Sequence, residues 1–184
     1  MRWVTRRNAH IDRTGCPWLI RRFIDPAAEF AFVPADTDPA TLDGIVFDMR
    51  GVKLGHRQGR CTFETFLAEY ALTGDLALVE MGRILREADV PPSRTRRRES
   101  AGIDALITGF QITTPDDQEK LRLTAPLYEA LYAYCRRKVE QQPARDGRAR
   151  PRLRYRQRVD AHLAEDDAPG SPTTSPEQQS SPER

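Results

Sequence analysis

Two short stretches of the chain hold residues whose types and spacing could do chemistry. The first is Asp12-Arg13-Thr14-Gly15-Cys16-Pro17, followed by Arg21-Arg22. Proline suits the first position of a helix, where its missing N–H would be unbonded anyway. A helix starting at Pro17 would set Cys16 at its N-terminus, where backbone N–H groups and the helix dipole favour anions and lower a thiol's pKa. Arg13 lies just before and Arg21 and Arg22 one turn inside. A Cys16 thiolate among Arg13, Arg21 and Arg22 would suit a tetrahedral dianion such as sulfate, phosphate, arsenate or chromate. The same residues also read as a buried structural cysteine, with the arginines paired to Asp12, Asp25 or Glu29.

The second stretch is His56-Arg57-Gln58-Gly59-Arg60-Cys61-Thr62-Phe63-Glu64. His56, Cys61 and Glu64 stand at a junction between a glycine-punctuated loop and a helix. Their spacing could converge on one cation, and zinc or iron accepts that ligand mixture. Three ligands do not complete a site, and His10 or Asp12 could add to them. The alternative is a loop histidine bonded to backbone beside a half-buried Cys61. Cys135, at helical spacing among Tyr128, Leu131 and Tyr132, reads as core.

The elements that would position these residues follow from periodicity. Trp3-Val4-Thr5 reads as a strand, a helix runs from Pro17 to Asp25, and Asp25-Pro26 stops it. Glu29–Pro34 alternates as a second strand, with Phe30 and Phe32 on one face, and Ile45–Asp48 is a third. Asp36–Leu42 is a short helix or turn. Thr62 can cap a helix over Phe63–Leu72 and Asp75 one over Leu76–Ala88. Ala101–Gly109 is short and helical, and Pro115-Asp116-Asp117 opens a long helix to about Val139. The fold class expected is α+β: a small sheet of about three short strands near the N-terminus, covered by helices, with a largely helical C-terminal half. The first helix could link its two flanking strands in parallel.

Composition sets the outer limits. The chain has 184 residues, 29 Lys+Arg and 27 Asp+Glu, for a net charge of +2, so no global charge argues for nucleic-acid or membrane-surface binding. No apolar run reaches the length of a spanning helix, Arg6-Arg7 is not followed by a hydrophobic stretch, and no signal peptide is visible. Three cysteines do not make a disulfide scaffold, and a reducing cytoplasm is the expected location. The hydrophobic fraction of 39% and charged fraction of 30% fit a chain that is part unfolded. Residues 1–140 read as one domain and 141–184 as a disordered tail rich in Arg, Pro and Ser. The alternating arginines Arg148–Arg158 in that tail read as a solvated linker or as a nucleic-acid contact arm. Arg94–Arg98 reads as a solvated loop. Motifs of phosphate-binding loops and serine hydrolases are absent from the sequence.

Cys16-Pro17-Trp18-Leu19-Ile20-Arg21-Arg22-Phe23-Ile24-Asp25-Pro26 and Ala28–Pro34 resemble the C-terminal domain family of the chromate-resistance protein ChrB. Gly55-His56-Arg57, Arg60–Phe63, Ala88-Asp89, Ala101-Gly102 and Leu127–Tyr132 continue the resemblance over about residues 2 to 137. It implies a part in chromate resistance or chromate response, as a standalone member without the regulatory half that precedes this domain in full-length proteins. The family commonly has a histidine before the Ala-Asp pair, where this sequence has Ile84-Leu85-Arg86. That change weakens a metal reading at His56 and favours an anion there instead.

Three functional readings result. The first is an accessory or sensor domain binding an oxyanion, chromate by resemblance, through Arg13, Cys16, Arg21 and Arg22. The second is a thiol-dependent redox enzyme acting on chromate or sulfur species through Cys16 or Cys61. The third is an interaction module that partners a separate transcriptional regulator.

Overall fold

The computed structural model of the protein describes residues 1–90 and 97–141. The tail from residue 142 onward, with Arg148–Arg158, and most of the basic loop before Arg97 lie outside the described residues. The architecture is α+β. Strands β1 (Arg2–Arg6), β2 (Glu29–Val33) and β3 (Ile45–Val46) form a sheet in the order β2-β1-β3. Both pairings are parallel, with Trp3 opposite Phe30 and Ile45. Helix α1 (Ile11–Phe23) makes the crossover from β1 to β2. Helices α2 (Thr62–Glu69), α3 (Leu76–Asp89), α4 (Arg98–Thr113) and α5 (Asp117–Gln141) follow. No described helix is long and apolar enough to cross a membrane.

The central strand β1 is buried on both faces, at Trp3, Val4 and Thr5, and Trp3 meets Phe47, Phe66 and Tyr70 edge-on or tilted. A second aromatic group, Trp18, Phe23, Tyr128 and Tyr132, joins α1 to α5. Burying several such side chains at ~1.5–3 kcal/mol each is the main force holding helices to sheet. Cys135 belongs to this core. Asp75 caps α3, accepting from Ala77 N and Leu78 N, and Tyr132 Oη donates to its other oxygen at 2.6 Å.

The structure corrects the reading of the first helix. α1 begins at Ile11, not Pro17, and carries Pro17 within it. Tertiary contacts outweigh the missing proline N–H. Ile11 is fully buried, and Tyr128 Oη donates to its carbonyl at 3.1 Å. Gly15 lets α1 approach closely, since a Cβ there would stand 3.3 Å from Leu85 and Tyr128.

The turn before α1 is clamped from the far end of the chain. Asp117, at the start of α5, accepts from Asn8 N and Ala9 N at 2.8 Å each, and buried Lys120 Nζ donates to it at 2.9 Å. Asn8 has φ +59°, one of the residue types that tolerates the left-handed region. This clamp fixes where α1 starts, and so where His10, Asp12 and Arg13 point.

Candidate functional site

Five ionisable side chains from four parts of the chain meet beside the N-terminus of α2. Asp12 comes from the first turn of α1 and Asp89 is the last residue of α3. His10 precedes α1, Asp48 follows β3, and His56 stands in the loop before α2.

Asp12 is 1% exposed and acts as a cap for a helix other than its own. Thr62 N donates to its Oδ2 at 2.6 Å and Phe63 N to its Oδ1 at 3.2 Å, so the carboxylate takes two of the unpaired amides of α2. Asp48 is also buried, with φ +49°. It accepts from Thr62 Oγ1 at 2.6 Å and Arg13 Nη1 at 2.7 Å, with Arg6 Nη2 at 3.5 Å. The loop that brings His56 in is shaped by a tight two-residue turn. Gln58 and Gly59 both have positive φ, and Arg57 and Arg60 exchange backbone hydrogen bonds across it, the pattern of a primed hairpin turn.

His56 is the focus of the cluster. Its Nε2 lies 3.0 Å from Asp12 Oδ2, 3.1 Å from Asp89 Oδ2 and 3.4 Å from Asp48 Oδ1. The bonds to Asp12 and Asp89 raise its pKa to about 10, against the opposing effect of burial. Burial pushes Asp12 up, to about 6, although the bond from His56 pulls it down. For Asp89 burial also works upward, but the neighbouring His10 and His56 outweigh it and its pKa is lowered. His10 Nδ1 lies 3.9 Å from Asp89 Oδ1, and its Nε2 3.5 Å from Asp104.

In front of His56 and Asp48 opens a cavity of about 810 Å³. Its other charged lining residues are Arg6, Arg50, Lys53 and Arg57, all basic. Lys53 and Arg57 share one carboxylate, Glu69, at 2.6 and 3.2 Å. Exposed Arg50 makes no ion pair among the described residues.

Of the residues singled out from the sequence, Arg13, Cys16 and His56 lie at or behind the aspartate cluster, whereas Arg21 and Arg22 lie elsewhere. Cys16 lies inside α1, fully buried, and burial followed by the charges of Asp12 and Asp48 raises its thiol pKa well above the ordinary value. Arg13 and Arg21 are eight residues apart on one helix, about 12 Å along its axis, and turn to different partners. Arg13 is held by Asp48, Arg21 stacks on Phe30 at 4.9 Å, and Arg22 Nε lies 3.3 Å from Glu129. Arg21 and Arg22 border a separate groove of about 400 Å³ with Trp18, Arg122 and Glu129.

In the second stretch, Cys61 rather than Thr62 is the N-cap of α2. Cys61 and Glu64 close a capping box, with Cys61 N donating to Glu64 Oε2 at 3.3 Å, and Glu64 also pairs with Arg86 at 3.4 Å. Arg86 therefore faces an acid of α2. His56 turns from Cys61 and Glu64 toward the aspartates. Among the described residues, the group whose ligand atoms gather within 4.8 Å of one another is Asp12, His56 and Asp89.

Sequence reasoning passed over Asp48, Asp89 and the basic rim of Arg6, Arg50, Lys53 and Arg57. A signal existed for Asp89: an acid in the last turn of a helix opposes the helix dipole and needs another reason to be there.

The family described as ChrB, C-terminal domain, matches residues 3–135. Protein ChrB of Cupriavidus metallidurans is 33% identical over 132 residues, which cover 72% of this chain and 40% of that protein. No solved structure matches the chain. The match spans α1 and the loop of His56, and ends within α5.

Proposed function

The chain belongs to the ChrB C-terminal domain family, and from that premise we propose that it is an accessory or sensor domain of chromate resistance that binds an oxyanion in the cavity before His56. The observation that carries this reading is the lining of that cavity. Arg6, Arg50, Lys53 and Arg57 put four cations around an opening wide enough for a tetrahedral ion, and Asp48 and Glu69 offset only part of their charge. Arginine forks and a lysine ammonium suit the four acceptor oxygens of chromate or sulfate. The anion site expected around Cys16 moves to this rim, because a tetrahedral dianion cannot reach a fully buried thiol. The match spans about 40% of the length of the curated relative.

Equilibrium dialysis of the reduced protein against chromate, with sulfate as competitor, tests the reading. Saturable binding with the chromate absorbance intact is expected. Each charge-assisted hydrogen bond contributes about 1.5–3 kcal/mol, so Arg50→Ala with Lys53→Ala, which removes two, should weaken binding by at least about 100-fold. Both side chains are exposed, and the fold should survive the change. Binding that is indifferent to these two residues removes the rim from the reading. Loss of the chromate absorbance in the reduced protein would favour the thiol redox reading instead.

A further inference from the structure

We propose that Asp12, His56 and Asp89 form a binding site for a divalent transition-metal cation, which neither the family resemblance nor the anion reading requires. Three carboxylate oxygens, from Asp12, Asp89 and Asp48, stand 3.0, 3.1 and 3.4 Å from one imidazole nitrogen. Nε2 carries at most one hydrogen, which can satisfy one of them at good geometry. A cation about 2.0–2.2 Å from each ligand atom would satisfy the oxygens and the nitrogen together. Its ligands would then stand ~3–4 Å apart, close to the spacing already present among Asp12, His56 and Asp89.

The three ligands come from different parts of the fold. Asp12 is held by the amides of Thr62 and Phe63, Asp89 ends α3 with His10 Nδ1 3.9 Å from it, and His56 rides on the loop closed by the Gln58-Gly59 turn. Supports of this kind orient ligands in metal sites. Charge is met by exchange: Arg13 compensates Asp48 at 2.7 Å, and a divalent ion would replace the proton that His56 Nε2 places between Asp12 and Asp89, so binding would release that proton. The donor set names the class of metal. One imidazole nitrogen with carboxylate oxygens suits manganese, iron or zinc, and the absence of a thiolate from the set disfavours copper(I). Cys61, occupied in the capping box of α2, is not needed.

The test uses the full chain, stripped of metal, titrated calorimetrically with Zn²⁺ and separately with Mn²⁺, in the absence of chromate. One saturable site per chain is expected for at least one of the two ions, with a higher melting temperature in its presence. Asp89→Asn and His56→Gln should each weaken binding by about 100-fold or abolish it, since even supporting residues of metal sites are worth 10–100-fold. His56 is half exposed, so its variant should fold even where an aspartate variant does not. Cys61→Ser, which retains a capping side chain, should bind as the parent does. Failure of both ions to bind overturns the proposal. So does binding that survives His56→Gln and Asp89→Asn, or that is lost in Cys61→Ser alone. Chromate binding measured separately on the metal-free chain tells failure of this site from failure of the anion reading.

Discussion

Cys16, Cys61 and Cys135 all sit in the core, and burial raises each thiol pKa, that of Cys135 to about 12. The thiolate is the reactive form, so these side chains should be inert while the fold is closed. We expect a thiol reagent such as a chromogenic disulfide to label none of the three quickly in the native protein and all three in denaturant. Prompt native labelling of one thiol would revive the redox reading. The sequence sets Cys16 near Arg13, and the helix keeps them one turn apart, but it does not reveal that the thiol is buried. A Gly-Cys-Pro run looks like a helix boundary, and only Ile11, Gly15 and Tyr128 packing together reveal that the helix continues through it. His56 was legible as a functional candidate from its loop. Asp12 was legible as a residue that could join it, but Asp48 and Asp89 were not, because they lie 8 and 33 residues away with no local spacing to tie them to it.

Helix spacing, by contrast, was largely readable. The apolar faces of α2, α3 and α5 and the Asp75 cap follow from period and residue type, as does the parallel pairing across α1. What periodicity does not record is how closely two helices approach. Gly15→Val tests that approach. Its added carbons would meet Leu85 and Tyr128, where one Cβ is already tight, so a loss of about 1–3 kcal/mol is expected, read as a lower denaturant midpoint at unchanged slope. The α4–α5 contact has a pH signature. The hydroxyl of Tyr134, then the backbone of Glu99 itself and Lys138, lower the Glu99 pKa from 4.5 to about 2. A depressed carboxylate contributes its full stability above the unfolded value and loses it as pH falls through the folded one. The stability difference between parent and Glu99→Gln should therefore be constant near neutrality and shrink from about pH 5 downward. A difference that stays flat to about pH 2.5 would show that Glu99 does not link the two helices through its charge.

At the scale of the molecule, the buried cluster begins at Trp3 and ends at Cys135, and the family match runs over the same span. The parts of both proposed sites fall inside it, with Arg6 at one end and Asp89 at the other. Yet the cluster is closed only by distant pieces: Asp117 and Lys120 of α5 hold the turn that aims His10 and Asp12, and Tyr128 holds the first turn of α1. Site and core should then be lost together when α5 is shortened, and should persist together when it is kept. A chain ending at Gln141 is expected to melt at the temperature of the full chain and to bind chromate with the same affinity. A chain ending before Tyr128 should fail to fold cooperatively, because it forfeits the aromatic group shared by α1 and α5. If the first of these melts as the parent does but no longer binds the anion, the arginines beyond residue 141 supply part of the site, and the cavity rim alone is not enough.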